Sequence, residues 1–361
     1  MRIIVSGGGT GGHIYPAIAI IQELKNRVKD LEVLYVGTNG GLEEDIVTNL
    51  GIDFKSISSM GIPRKVSSKL FKSIVKNFKG LGEAKKIIKE FKPDIVIGTG
   101  GYVCAAVLYK ASKMKIPTVV HESNSYPGMA NKFLSKYVDR VLISYEECRK
   151  YFKYQNKIIN TGNPIRNNFI YNVTDKDYKD LNIKKNIPVV FSFGGSNGSY
   201  YLNEAVKGLS SLMDGKFYLL HATGKKNYED MKKEMPDNEY IRLFPYIDDI
   251  QKFYAISDLI IASSGAMTLT EISSLKKASI LIPKGYTTEN HQQYNAKTYK
   301  DNGASEMILE KDLNFRSLYD SIINIVSDKE KLKLMGENAG KLSNKNVSKQ
   351  IADIIIELSK K

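Results

Sequence analysis

His13 closes an unusual run, Ser6-Gly-Gly-Gly-Thr-Gly-Gly-His13, and an imidazole in that place can take or give a proton near neutral pH. The five glycines from Gly7 to Gly12 leave backbone N–H groups uncovered by β-carbons. Before them, Ile3-Ile-Val5 makes a short buried strand. After them comes Pro16, suited to a first helical turn, and then Ala17, Ile18, Ile20, Ile21 and Leu24 at helical spacing. A strand, glycine turn and helix in that order aim several amides and a positive dipole end at one point. That is a site for phosphate, diphosphate or developing negative charge. Gly7, Gly9 and Gly12 also satisfy G-x-G-x-x-G, the fingerprint of dinucleotide sites. Such sites take an acid at the end of the second strand to hold the ribose. The strand 32–37 ends at Thr38 without one, and Glu43-Glu44-Asp45 belongs to the next helix, which argues against NAD or a flavin. A purely structural tight turn is the remaining bland reading.

Other polar groups gather where strands end. His121, Glu122, Ser123 and Asn124 follow a strand at 117–120, and a second glycine turn at 98–101 follows Ile95-Val-Ile97. Carboxyl ends of parallel strands are where such folds bind ligands, although a single His or Glu there is as often structural. The opening pattern returns at 187–203, with Phe193-Gly-Gly-Ser-Asn-Gly-Ser199 as its turn. Further on, a strand at 258–262 meets the turn Ser264-Gly265 and a helix at 266–275, whose first amides face an anion. Glu271, one turn inside, can accept hydrogen bonds from two adjacent ribose hydroxyls through its two oxygens. An ordinary first-turn Glu favoured by the dipole is the alternative. Asp175-Lys-Asp177 matches a D-x-D metal motif, but its polar surroundings read as surface charge. Cys104 and Cys148 have no ligand spacing, so a reducing compartment is expected and neither a disulfide framework nor a metal site is.

Positioning these groups takes a long α/β chain. At 361 residues two domains are the default. Strands are predicted at 2–6, 32–37, 94–98, 117–120, 140–143 and 157–160, and again near 187–193, 217–221, 240–243, 258–262 and 279–282, with helices between. This alternation predicts two doubly wound, Rossmann-like domains facing across a cleft, 1–163 and 164–345. The apolar final helix near 346–361 is expected to pack back on the first. Charge is uneven: residues 1–163 carry a net +11 and residues 164–361 only +3, so the first half should meet something anionic. Across 65–81, Leu70, Phe71, Ile74, Val75, Phe78 and Leu81 share one helical arc, with Lys69, Lys72, Lys76 and Lys79 opposite. Gly80 and Gly82 are expected to end or loosen it. The segment is either a sheet-covering helix with a solvated lysine face or a membrane-surface element with its apolar face inserted. No run is long enough to span a bilayer, and no signal peptide is read at the start, so a cytoplasmic protein is expected.

Taken together, Gly8-Gly-Thr-Gly-Gly-His-Ile-Tyr-Pro16, Gly98-Thr-Gly-Gly-Tyr-Val103, His121-Glu-Ser-Asn124, Gly162-Asn-Pro-Ile-Arg166, Gly194-Gly-Ser-Asn-Gly198, Tyr246-Ile-Asp-Asp249, Ser264-Gly-Ala-Met-Thr-Leu-Thr-Glu271 and Gln292-Gln-Tyr294 resemble the MurG family in order and along the whole chain. These are peptidoglycan N-acetylglucosaminyltransferases that convert lipid I to lipid II. The resemblance implies a GT-B fold and inverting transfer from UDP-GlcNAc to the muramoyl C4 hydroxyl. It implies donor contacts from Thr10, Gly11, Gly12, Asn124, Arg166, Ser196, Ile247, Ala266, Met267, Thr268, Leu269, Thr270, Glu271, Gln292 and Gln293. Acceptor contacts would come from Gly100, Gly101 and Tyr102, and the base would be His13 or, second, Glu122. No cofactor or catalytic metal is called for, because amides, a helix dipole and Arg166 can meet the charge of UDP. Lipid I lies in the bilayer, so a peripheral position on an anionic cytoplasmic membrane face follows, beside other cell-wall synthesis and division proteins. Ser123 stands where the family usually has Gln, and Ser263 where it often has Arg, which leaves more diphosphate work to Arg166 and the helix. A diacylglycerol glucosyltransferase or a UDP-GlcNAc 2-epimerase would share much of the fold. A polyanion- or nucleic-acid-binding protein would explain the charge but not the glycine turns, and no aromatic-basic RNA motif is present.

Overall fold

Alternating apolar residues in the first half pair into a seven-stranded, all-parallel sheet. Its strands are β1 (Arg2–Gly7), β2 (Glu32–Gly37), β3 (Asp53–Ser56), β4 (Ile95–Gly100), β5 (Thr118–Glu122), β6 (Arg140–Ile143) and β7 (Ile158–Asn160), in the order β3-β2-β1-β4-β5-β6-β7. The second half builds a six-stranded parallel sheet from β8 (Val189–Phe193), β9 (Tyr218–Ala222), β10 (Ile241–Phe244), β11 (Leu259–Ala262), β12 (Ala278–Leu281) and β13 (Ser305–Met307), in the order β10-β9-β8-β11-β12-β13. The computed structural model describes residues 1–61, 63, 68–165, 171–195, 198–235, 237–344 and 346–360. The chain forms two units, Met1–Asn167 with Asn344–Lys361, and Asn168–Ser343. Each is a doubly wound α/β unit, and the pair makes up the GT-B class expected from the sequence.

Period-two alternation sorts the first sheet's side chains between two cores. Ile4, Val36 and Val96 face one core, while Ile3, Val5, Tyr35, Ile95 and Ile97 face the other. The second core is completed by the helix Val347–Leu358, which sets Val347, Ile351, Ala352, Ile355 and Leu358 against Ile20, Ile21 and Leu24 of the helix Gly11–Arg27. Arg27 seals that contact, pairing with Asp353 and donating to the Lys349 carbonyl at 3.0 Å. In the other unit, Val190, Leu219, Leu259, Ile261 and Ile280 meet Leu202, Val206, Leu318 and Ile322.

Several expectations need correction. Strands β3 and β13 have no counterpart in the sequence reading: both are edge strands, three or four residues long, with no fully apolar run. The first helix begins at Gly11, so Pro16 lies inside it rather than in its first turn. Proline cannot donate to the Gly12 carbonyl one turn back, and the Ser123 hydroxyl reaches that carbonyl instead at 3.4 Å. The lysine-rich helix does not end at Gly80 or Gly82 but runs through Ser68–Phe91. A β-carbon on Gly80 would stand 1.9 Å from the Ser58 carbonyl oxygen, so that glycine permits a close approach. From Leu81 onward the helix covers the sheet, burying Ala84, Ile87 and Ile88. The covering reading fails for 71–78, where Phe71, Val75 and Phe78 are 69–70% exposed, Ile74 is also exposed, and Leu70 is half-buried. Asp177 is not surface charge either. It is buried as the third residue of a capping box, accepting from the Thr174 amide and hydroxyl and from Tyr171, and pairing with Lys252 at 3.0 Å. Those contacts, led by the Thr174 amide, hold its carboxyl far below the usual range. Among the described residues no group of His, Cys, Asp and Glu could hold a metal.

Candidate functional site

In each sheet the strand order reverses direction once, between β1 and β4 in the first and between β8 and β11 in the second. Ligands of open parallel sheets bind in the crevice beyond the strand ends at that switch point. Both glycine turns of the first unit lie there: β1 feeds Gly7 to Gly12, and β4 feeds Gly100 and Gly101. The turns touch through backbone, the Gly8 amide donating to the Gly100 carbonyl at 3.3 Å. Gly100 (φ +113°) and Gly101 (φ +88°) adopt conformations that disfavour a β-carbon, and one on Gly101 would lie 2.5 Å from the Gly8 oxygen. Thr10 precedes the helix Gly11–Arg27, which has no side-chain cap and no acid in its first turn, so its amide end is suited to an anion. Tyr102, the first residue of the next helix, is 53% exposed beside these turns.

His13 sits in that first turn. Its Nδ1 lies 2.9 Å from the Gly8 carbonyl oxygen. A carbonyl can only accept, so Nδ1 carries the ring proton in the neutral imidazole and Nε2 keeps the lone pair. The ring rests on Gly100, where a β-carbon would stand 2.9 Å from Nε2. Thr99 fixes the backbone below it, donating from its hydroxyl to the His13 carbonyl at 2.6 Å.

Glu122 is arranged differently. It is buried, and its two oxygens accept four hydrogen bonds: from the Asn124 amide and side chain at 3.0 Å each, from the Gly128 amide at 3.1 Å and from Asn131 at 2.7 Å. This carboxylate clamps the loop after β5, and Asn124 is held by it. His121 is fully buried against the Gly162 carbonyl at 3.1 Å, and burial depresses its pKa. Sequence reasoning missed Glu43. Its side chain accepts from the Thr38 amide (2.9 Å) and hydroxyl (2.7 Å) and from the Gly9 amide (3.1 Å). Burial pushes its pKa up, but the bonds from Thr38 and Gly9 outweigh burial and keep the carboxyl below the usual range. The acidic trio 43–45 offered no sign of which member turns inward.

The second unit's switch point joins the turn after β8 to the turn after β11, with Phe193 paired to Ala262. Ser264 is buried and donates to the Gln292 carbonyl at 2.7 Å, while the Gln292 side chain accepts from the Lys284 amide at 3.0 Å. Lys284 also reaches the Gly198 carbonyl at 3.2 Å. The helix Ala266–Ser274 starts at Gly265 with neither a side-chain cap nor a first-turn acid. Of its residues, Ala266, Leu269 and Thr270 are buried, and Met267, Thr268 and Glu271 are half-buried. Glu271 accepts from the Tyr254 hydroxyl at 3.0 Å. Ile247 is half-buried before the helix Ile250–Ile256, and Gln293 is exposed. Arg166 and Ser196 lie outside the described residues, as does the side chain of Lys69. Below this turn, Ser192, His221 and Asn203 form a buried chain, with Ser192 Oγ 2.7 Å from His221 Nδ1 and His221 Nε2 3.0 Å from Asn203 Oδ1. Burial pushes His221 down to about 4.

Comparison with known proteins agrees along the whole chain. The sequence profile of the glycosyltransferase family 28 N-terminal domain matches residues 3–143, and that of the family 28 C-terminal domain matches residues 189–351. The UDP-N-acetylglucosamine–N-acetylmuramyl-(pentapeptide) pyrophosphoryl-undecaprenol N-acetylglucosamine transferase of Finegoldia magna is 52% identical over 99% of this chain and 98% of its own. The transferase of that name from Acetivibrio thermocellus is 44% identical over 100% and 99%. Among solved structures, Acinetobacter baumannii MurG is 25% identical with a TM-score of 0.80 over 99% of each chain. A UDP-GlcNAc 2-epimerase from Neisseria meningitidis bound to UDP-GlcNAc has a TM-score of 0.68 over 99% of this chain and 100% of its own, but at 16% identity the likeness is one of fold.

The buried histidine below the second turn makes a pH prediction. An unfolded histidine takes a proton below its usual 6.5, whereas folded His221 stays neutral down to about 4. The unfolded state therefore binds more protons in that window, and stability falls as pH drops through it, by on the order of 3 kcal/mol from this residue. Urea midpoints measured from pH 7 to pH 4 should decline, and the decline should be shallower in His221→Gln.

Proposed function

The chain belongs to glycosyltransferase family 28, and from that premise we propose how its own residues carry the reaction. The activity is transfer of N-acetylglucosamine from UDP-GlcNAc to lipid I, giving lipid II. His13 is the general base. The observation that carries this is the Nδ1 contact with the Gly8 carbonyl, which leaves Nε2 as the acceptor beside the Gly100–Gly101 turn. Nε2 takes the proton of the muramoyl C4 hydroxyl while that oxygen bonds to C1 of the sugar on the face opposite UDP. The C1–phosphate oxygen bond breaks, its electrons leave with UDP, and the configuration at C1 inverts. Glu122 already spends four hydrogen bonds on its loop and is the weaker candidate.

On the donor side, the amide end of Ala266–Ser274 meets the diphosphate and Glu271 takes the ribose hydroxyls. By resemblance, Thr10, Gly11, Gly12, Asn124, Arg166, Ser196, Ile247 and Gln293 are further donor contacts, and Gly100, Gly101 and Tyr102 meet the acceptor. No metal is assigned a role. His13→Ala should lower kcat by about 10²- to 10⁴-fold while UDP affinity stays as in wild type. Near-normal turnover in His13→Ala with a collapse in a folded Glu122→Gln would reassign the base.

The acceptor's lipid places the enzyme at a bilayer, and we assign the contact to residues 70–79 on its cytoplasmic face. Among the described residues no helix is long and apolar enough to cross a membrane. The exposed Phe71, Ile74, Val75 and Phe78 supply apolar surface, and the exposed Lys72, Lys76 and Lys79 supply positive charge. Each lysine near an anionic surface contributes about 1 kcal/mol. Because the apolar side chains are already in water, replacing Phe71, Ile74 and Phe78 with Ser should leave the fold and UDP affinity intact. Co-sedimentation with anionic vesicles should fall in that variant, and wild-type binding should weaken with salt. Undiminished vesicle binding by the variant would move the contact elsewhere.

A further inference from the structure

One buried phenol stands directly behind the carboxylate read as the ribose acceptor. Tyr254, on the helix Ile250–Ile256, is fully buried, and its ring is wedged edge-on against Phe191 at 5.8 Å and Phe193 at 5.9 Å between centroids. Both phenylalanines belong to β8, the strand that leads into the second unit's glycine turn. The hydroxyl donates to Glu271 Oε2 at 3.0 Å. We infer that Tyr254 is a positioning residue for the donor ribose, holding the Glu271 carboxylate in the orientation that two vicinal hydroxyls require. The inference rests on Glu271 as the ribose acceptor.

The physical reasoning is one of preorganisation. A half-buried glutamate on a helix has three side-chain torsions to settle, and a diol must meet both of its oxygens in one plane. The packed aromatic ring cannot move without disturbing β8, so its hydroxyl is a fixed donor and the bonded oxygen is pinned. A carboxylate oxygen has a second lone-pair direction, so the tyrosine bond leaves Oε2 able to accept from the ribose as well. Burial, and after it the neighbouring Glu271 charge, raise the phenol's pKa well above its ordinary value, so it remains a donor throughout the working pH range. The ordering of the carboxylate is then completed on folding rather than on binding.

The test compares wild type, Tyr254→Phe, Glu271→Gln and the double variant by calorimetric titration with UDP and with 2′,3′-dideoxyuridine diphosphate. Tyr254→Phe should weaken UDP roughly three- to tenfold and leave the dideoxy compound, which has no diol to orient, at its wild-type affinity. Glu271→Gln should weaken UDP further, and the double variant should be no weaker than Glu271→Gln alone. If Glu271→Gln is impaired while Tyr254→Phe binds UDP normally, or if Tyr254→Phe loses affinity equally for both nucleotides, the positioning role is overturned. If Glu271→Gln itself binds UDP as wild type does, the ribose assignment fails, and the inference with it.

Discussion

At Gly101 a β-carbon would lie 2.5 Å from the Gly8 carbonyl oxygen, and at Gly7 one would lie 2.1 Å from Thr99 Oγ1. The first unit's turns depend on this close approach, to backbone at Gly101 and to the Thr99 side chain at Gly7. Two strand ends converge so closely that no β-carbon fits at these glycines, and beside them lie the amide end of a helix, an imidazole and an exposed tyrosine. The second unit repeats the constraint: a β-carbon on Gly198 would meet the Thr223 oxygen at 2.1 Å, and one on Gly194 the Ser199 amide at 2.3 Å. Real β-carbons do not tolerate such distances, so side chains at these glycines would push the turns apart.

Keeping bare backbone in place takes carboxylates that hold loop amides. Glu43 ties the Gly9 amide to Thr38, and Glu122 ties together the loop from Asn124 to Asn131. Both satisfy buried or half-buried N–H groups that would otherwise be costly. Ser123 reaches the Gly12 carbonyl that Pro16 leaves without its helical donor. In this chain a short hydroxyl there serves the helix that carries His13. With Glu43 and Glu122 bonded to loop amides, His13, whose Nδ1 is bonded to the Gly8 carbonyl and whose Nε2 lies beside Gly100, is the group proposed above as base.

Much of this was legible in the sequence because it depends on periodicity and on glycine. The apolar runs that became β1, β2, β4 and β8, the glycine turns after β1, β4 and β8, and the stripe of the final helix are local patterns with one physical solution. What escaped depends on long-range pairing. Strands β3 and β13 are held by one neighbour each and carry no pattern of their own. Glu43 and Asp177 look like helix-start charges until a distant turn or lysine is brought against them. The extent of the lysine-rich helix was misjudged because glycine is a weak breaker when a tertiary contact, here Gly80 on Ser58, requires it. Whether its apolar stripe faced inward or outward lay beyond any sequence pattern, since amphipathic helices present the same spacing to a sheet or to lipid.

On the reading proposed above, lipid surface and acceptor chemistry fall to the first unit and the nucleotide to the second. That proposal asks only backbone amides, one imidazole and one ribose-binding carboxylate to carry the transfer. The most direct test is UDP release from UDP-GlcNAc, followed with and without a soluble lipid I analogue in the presence of EDTA. The account predicts release that requires the acceptor and is unaffected by the chelator. UDP released equally fast without acceptor, or turnover abolished by EDTA and restored by a divalent cation, would contradict it.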